Sequence, residues 1–392
     1  MKSYVVSITE VDDPQIALLE LKAQMTEIEL LKHSIGIVSA SLDCIDSGVY
    51  AAVANALSFP LAGMSTFSQS ANGEAGMFLL SILILSSDNC EFACGYSAPI
   101  TGNADISALM RACYADVTGR LSGEPKLALL YPPFPEDSLT GPATHCLRAL
   151  SAENVALPIF GSIACREVEN LPEAKVIFGA EASSERCALV LMSGDISPEF
   201  YVGAVADEAT VISVVGVVTK ASENRVLEIN GVNAKQFLEQ MDYFVGKDIN
   251  ETASSSILIA ETKDENGKIL SSLAQGILLV TDEYAVLDNF IETGTVLSLA
   301  ALTKETVTAT TGKAVSWING HERKKTALMY SCLRRWFAAA DENHKEFDII
   351  DESLSGINYQ VSYSGGEICP TSPKGEKMLN AKHSSSIAVC VF

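Results

Sequence analysis

The sequence predicts an α/β protein of two domains with mixed sheets, built partly from repeated strand-helix-strand-strand-strand units. Three observations carry that expectation. The chain has 392 residues, which is long for one core and ordinary for two. Short apolar runs of strand length alternate with stretches of helical spacing. A punctuated pattern also returns along the chain. Leu157-Pro158-Ile159-Phe160-Gly161-Ser162 answers Phe59-Pro60-Leu61-Ala62-Gly63-Met64, with the two glycines 98 residues apart.

The elements follow in order. Residues 3–9 read as a strand, and Pro14 to Leu31 as a helix with Asp13 as its cap. Ile35 to Ser39 is a buried strand, and Asp46 or Ser47 caps a helix to Leu57. Phe59 to Ser65 is a short strand entering a turn, and Met77 to Leu85 with Glu91 to Tyr96 reads as a hairpin. The second copy has a strand at Leu127 to Tyr131, a helix at Thr140 to Leu150, the Gly161 strand, then strands at Ala188 to Met192 and Phe200 to Gly203. These two repeats occupy about 33–97 and 125–205. For the end of the chain two readings stand: ordinary α/β echoes, or a third copy. The copy would have strands at Ala327 to Tyr330, Tyr359 to Gly366 and Ser386 to Phe392, with a helix at Phe347 to Leu354.

Between the second repeat and this end lies a region of different character. Thr210 to Val218, Asn224 to Ile229, Ser256 to Ala260, Ile277 to Val280 and Val296 to Leu299 read as strands. Asn230-Gly231 marks a turn before a helix at Ala234 to Met241, and Thr303 to Ile318 reads as a further helix. The polar break at Asp207-Glu208 suggests domains of 1–208 and 209–392.

Composition narrows the function. Hydrophobic residues are 48% and charged residues 19%, which supplies buried cores and argues against disorder. A formal net charge of -22 makes nucleic acid and anionic membranes poor partners. The longest apolar run, Met77 to Leu85, is too short to cross a bilayer as a helix, and no signal peptide is evident at Met1 to Val6. Ten scattered cysteines without a C-x-x-C pair read as small hydrophobes of a reduced, cytoplasmic protein, with no zinc site. Phosphate-binding glycine motifs for ATP or NAD are absent.

Candidate site residues gather near the end of the chain. The strand ending at Ser331-Cys332-Leu333-Arg334-Arg335 and the strand ending at Ser364-Gly365-Gly366-Glu367 could deliver their polar groups to one edge, where ligands of open α/β sheets collect. Cys332 is either packing or a thiolate activated by Arg335. Arg334 and Arg335 are either partners in ion pairs or a clamp for a carboxylate or phosphate. Gly365 and Gly366 permit close backbone approach, and Arg335 with Glu367 would suit an amino-acid zwitterion. His383, near the last strand, is the candidate axial ligand should a haem bind.

With these residues in view, the chain resembles the FIST family, with its paired FIST N and FIST C sensory domains. The first part of the likeness rests on Pro60-Leu61-Ala62-Gly63-Met64-Ser65, Gly73-Glu74 and Pro158-Ile159-Phe160-Gly161-Ser162. The second rests on Val226 to Ala234, on Ser331 to Arg335 and on Tyr363-Ser364-Gly365-Gly366-Glu367-Ile368. The chain departs from the family at His383-Ser384-Ser385-Ser386 and at the bulky Trp336-Phe337. The resemblance implies a FIST N-like domain over 1–208, a FIST C-like domain over 209–392 and a ligand-sensing role in signal transduction. Amino acids or related small polar metabolites are the implied ligands, and a histidine kinase or cyclase acting in trans is the implied partner. Three readings follow: a non-enzymatic small-ligand sensor first, a haem-based nitric oxide sensor second, and a cysteine-dependent enzyme using Cys332 third.

Overall fold

A computed structural model describes residues 1–102, 104–134, 142–166, 173–204, 210–240, 256–263, 266–267, 269–321, 325–339, 342, 344–371 and 378–392. The Asp207-Glu208 break and the expected helix start at Thr140 lie outside these residues. The first unit contains β1 (Lys2–Ile8), α1 (Pro14–Met25), β2 (His33–Ala40), α2 (Leu42–Asp46), α3 (Val49–Ala56), β3 (Leu61–Ser65), β4 (Gln69–Ala71), β5 (Glu74–Gly76), β6 (Leu80–Ser87) and β7 (Cys90–Tyr96). The second contains α4 (Ile106–Thr118), β8 (Pro125–Tyr131), α5 (Pro142–Glu153), β9 (Ile159–Ser162), β10 (Val176–Phe178), β11 (Glu181–Ser183), β12 (Ala188–Gly194) and β13 (Glu199–Gly203). An insert follows: β14 (Thr210–Ser222), β15 (Arg225–Ile229), β16 (Val232–Asn233), α6 (Ala234–Gln240), β17 (Ser256–Lys263), β18 (Ile269–Gln275), β19 (Ile277–Val280), β20 (Ala285–Leu287) and β21 (Val296–Ala301). The third unit contains α7 (Lys304–Asn319), β22 (Thr326–Cys332), α8 (Leu333–Ala338), α9 (Lys345–Ser353), β23 (Asn358–Ser364), β24 (Glu367–Thr371), β25 (Leu379–His383) and β26 (Ile387–Val391).

The third copy is therefore real. In each unit one strand pairs in parallel with the glycine- or serine-bearing strand after it and antiparallel with the later long strand. These triplets are β3-β2-β6, β9-β8-β12 and β23-β22-β26. Each triplet is extended by strands of a neighbouring unit, and the first also by its own β1. The described orders are β1-β6-β2-β3-β10-β11, β25-β24-β9-β8-β12-β7 and β13-β26-β22-β23-β4-β5. The expected hairpin of Met77 to Leu85 with Glu91 to Tyr96 does not form. β6 pairs with β1 and β2, while β7 leaves to pair with β12 of the second unit.

Each sheet buries both faces, which explains why its central strands read as apolar runs rather than clean alternation. Inward residues Ile35, Ile37, Leu129, Tyr131, Leu328 and Tyr330 meet in one shared core. The outward residues Val38, Leu130 and Met329 pack under the helices of their own units. The insert forms its own sheet, ordered β18-β17-β21-β14-β15-β20-β19, over a separate apolar cluster that includes Val226, Ile229, Leu258 and Leu287. The chain thus has a mixed-sheet body and a second folded region. The pairs β9–β24, β4–β23 and β13–β26 carry hydrogen bonds between residues before and after position 208.

Local chemistry sets several boundaries. Asp13 caps α1 by accepting from the Gln15 and Ile16 amides. The helix ends at Met25 rather than Leu31, because Ile28 and Leu30 bury themselves from the connection instead. The helix expected to run to Leu57 forms as α3, and Gly48, at φ +83°, separates it from the short α2 that precedes it. The repeated glycines have a steric reason. A Cβ at Gly63 would lie 2.0 Å from the Val38 carbonyl oxygen, and one at Gly161 would lie 2.0 Å from that of Leu130. Both obstacles are backbone atoms of the adjacent parallel strand. Gly63→Ala and Gly161→Ala should each cost about 1–3 kcal/mol or more of stability. Urea denaturation checks this, and unchanged midpoints would contradict the close approach.

Candidate functional site

Strands β22 and β23 run parallel with Cys332 opposite Ser364. Their carboxyl ends therefore lie side by side, as the sequence pattern predicts. Gly365 and Gly366 turn the chain, with Gly366 at φ +142°, and Glu367 opens β24. The Cys332 amide donates to the Ser386 carbonyl at 3.0 Å. The Ser364 hydroxyl donates to Glu367 Oε1 at 2.9 Å, and that of Ser386 to Oε2 at 2.6 Å. The structure thus gathers Cys332, Gly365, Gly366 and Glu367, together with serines that the sequence pattern did not single out.

Both ionisable groups of this edge are neutral by environment. Burial pushes the Glu367 carboxyl up to about 8, against smaller opposing effects of Ser386, Ser364 and Arg335. Burial and the neighbouring Glu367 push the Cys332 thiol up to about 12, with Arg334 opposing. A thiolate is the reactive form, so this environment disfavours Cys332 as a nucleophile. All ten cysteines are buried as reduced thiols.

Arg335 requires a correction. It does not face Glu367 as a zwitterion clamp. It is 0% exposed and turned into the helical layer of the third unit, where Nη2 meets Glu346 Oε1 at 2.6 Å. Its remaining donors reach the Ser331, Thr310 and Thr311 hydroxyls and the Val307 carbonyl. Ser331, Thr311 and Tyr363 also donate to Glu346. Burial pushes the Glu346 carboxyl up, but Arg335 and these hydroxyls outweigh it and hold its pKa below the usual range. The cause is helical geometry: α8 begins at Leu333, so adjacent arginines point in different directions.

Arg334 points instead to the insert. There Asp288, just after β20, meets groups from the third unit. The Asp288 carboxylate accepts from the Ser384 hydroxyl at 2.6 Å and from the Gly276 amide, while the Asp288 carbonyl accepts from Lys382 Nζ at 2.7 Å. Burial pushes the Asp288 carboxyl up, yet Lys382, Arg334, Ser384 and Gly276 together leave it below the ordinary carboxylate range. A Cβ at Gly276 would lie 2.1 Å from Arg334 Nη2, so glycine makes room for the guanidinium. Next to this cluster Ser385 sits at φ +57°, and its buried hydroxyl has no hydrogen-bond partner among the described residues. Asp288 and Lys382 escaped the sequence reading. The available signal was an acid at a strand end and a lysine beside His383, neither of which forms a motif.

His383 does not fit an axial haem ligand. Its Nε2 faces the Cys369 carbonyl at 3.2 Å, and burial lowers its pKa to about 4. A ligating imidazole needs a nitrogen turned to an open cavity, whereas this ring is 5% exposed. Among the described residues, no group of three or more His, Cys, Asp or Glu is set to hold a metal ion. Among the same residues, no helix is long and apolar enough to cross a membrane.

The repeated units and the inserted sheet define a mixed α/β protein. The chain belongs to the FIST family, whose FIST N domain matches residues 34–232. FIST domains are sensory, which gives the chain a role as a sensor in signal transduction. No curated protein matches the sequence. Among solved structures, a cyanuric acid hydrolase from A. caulinodans aligns over 99% of this chain and 98% of its own, at 11% identity and a TM-score of 0.36. A likeness this weak bears on neither fold nor chemistry.

Arg335→Ala should destabilise the protein by about 3–5 kcal/mol, because it strands the buried Glu346 charge. Chemical denaturation measures the loss, and a near-neutral variant would refute the pairing. Glu367 makes stability depend on pH with a definite sign. Below about 4.5 the carboxyl is protonated in both folded and unfolded chains. Between there and about 8 only the unfolded form ionises, so its contribution to stability falls as pH rises. Glu367→Gln should flatten that fall between pH 5 and pH 8. An identical pH profile of melting temperature would show that Glu367 is not held neutral.

Proposed function

We propose that this chain is a non-enzymatic, cytoplasmic sensor of a small polar metabolite bearing a carboxylate, with amino acids as the leading class. Recognition would use Arg334, Lys382 and Ser384, close to the edge formed by Cys332, Gly365, Gly366 and Glu367. One observation carries this reading: the buried Asp288 carboxylate already lies among Lys382, Arg334, Ser384 and the Gly276 amide. The set is complementary to a carboxylate, and its present occupant belongs to the insert. A ligand carboxylate would compete with Asp288, loosen the insert from the three-unit body and alter a partner-facing surface. A histidine kinase or cyclase acting in trans is the proposed recipient. Such a ligand shifts the equilibrium only by the difference in its affinity for the two settings.

A thermal-shift screen against amino acids and small carboxylates tests the proposal. A ligand present at 100 times its dissociation constant should stabilise the fold by about 2.7 kcal/mol. Arg334→Ala should abolish the shift. Asp288→Asn should increase ligand affinity, because it weakens the internal competitor. A shift that persists unchanged in Arg334→Ala, or no shift from any carboxylate, would overturn the assignment.

A further inference from the structure

A second cleft lies away from the Asp288 junction, where β13, the C-terminal end of α7 and the end of β24 come together. Its volume is about 570 Å³, and Glu199, Tyr201, Trp317, His321, Pro370 and Met378 line it. The size suits a small molecule. Tyr201 and Trp317 stack with ring centroids 5.4 Å apart and an interplanar angle of 25°. The His321 ring lies 4.2 Å from that of Trp317. These elements come from two units, because β13 closes the edge of the third unit's sheet.

The polar contacts identify the charge that this wall prefers. His321 Nδ1 lies 2.7 Å from the Trp317 carbonyl oxygen. Its Nε2 lies 3.0 Å from Glu199 Oε2. Both facing atoms are acceptors, so this wall of the cleft presents lone pairs and a carboxylate. The cleft wall therefore combines stacked aromatic rings with a half-exposed carboxylate. An aromatic face attracts a cation through its quadrupole, most strongly for tryptophan, and a carboxylate adds direct attraction. The formal net charge of -22 further raises the local concentration of cations and opposes anions.

We propose that this cleft binds a small alkylammonium ion. The apolar body would lie against Tyr201, Pro370 and Met378, and the charged head would lie beside Trp317 and Glu199. The site does not depend on the carboxylate-sensor reading, since it shares no residue with the Arg334–Asp288 cluster.

Calorimetric titration with choline tests it, with 3,3-dimethylbutan-1-ol as a neutral molecule of the same shape. Choline should bind saturably, and the neutral analogue should bind about tenfold more weakly or not at all. Glu199→Gln, a change at a half-exposed side chain, should weaken choline without unfolding the protein. Arg334→Ala should leave choline affinity unchanged even if it abolishes carboxylate binding. Absence of saturable choline binding, equal affinity for the neutral analogue, or undiminished binding in Glu199→Gln would each overturn the proposal.

Discussion

Ser65, Ile163 and Tyr363 occupy equivalent places in the three units, and each uses its backbone on the next unit. The Ser65 carbonyl accepts from the Cys165 amide at 3.0 Å, and the Ile163 carbonyl from the Gly365 amide at 3.1 Å. The Tyr363 carbonyl accepts from the Thr66 hydroxyl at 2.6 Å, which closes the circle. The three amides follow the same path, donating to Lys175, Gly366 and Ser68. Buried backbone groups must be paired, so no unit can satisfy its own strand ends without the next. The exchanged hairpins β4–β5, β10–β11 and β24–β25 obey the same constraint. Each would be a marginal two-stranded ribbon alone and becomes stable on a neighbour's sheet.

This closure also explains where charge can be buried. The shared centre is mostly apolar and holds neutral polar groups, such as the paired hydroxyls of Tyr131 and Tyr330, 2.8 Å apart, and the Gln360 amide, which donates to Ser81. Ion pairs therefore sit at its margins. Arg335 and Glu346 tie α8 to α9 and, through Thr310 and Thr311, to α7. Asp288 with Lys382 and Ser384 ties the insert to the third unit. The first pair is enclosed by one unit. The second spans two folded regions, which makes it the better candidate for a contact that a ligand could exchange.

Much of the fold was legible because its signals were local. The strand runs, the Asp13 cap and the two Gly strands follow from periodicity and turn chemistry within short windows, whereas the third copy stayed one of two readings until the strand pairing decided it. The approach of Cys332 to Gly365, Gly366 and Glu367 was also legible, because parallel strands carry their ends to one edge. The roles of Arg334 and Arg335 were not. Two adjacent arginines look alike in sequence, and only the start of α8 turns one inward and the other toward the insert.

The sequence by itself determined the composition of the cores, the mixed α/β character, the repeated unit and the family. These rest on the order of side chains along one chain. The tertiary structure alone decided that β7 and β13 leave their own units, that Asp288 meets Lys382 and that Glu367 is kept neutral. Pairing partners far apart in sequence are selected by whichever register satisfies buried backbone and charge together, and no local pattern records that choice.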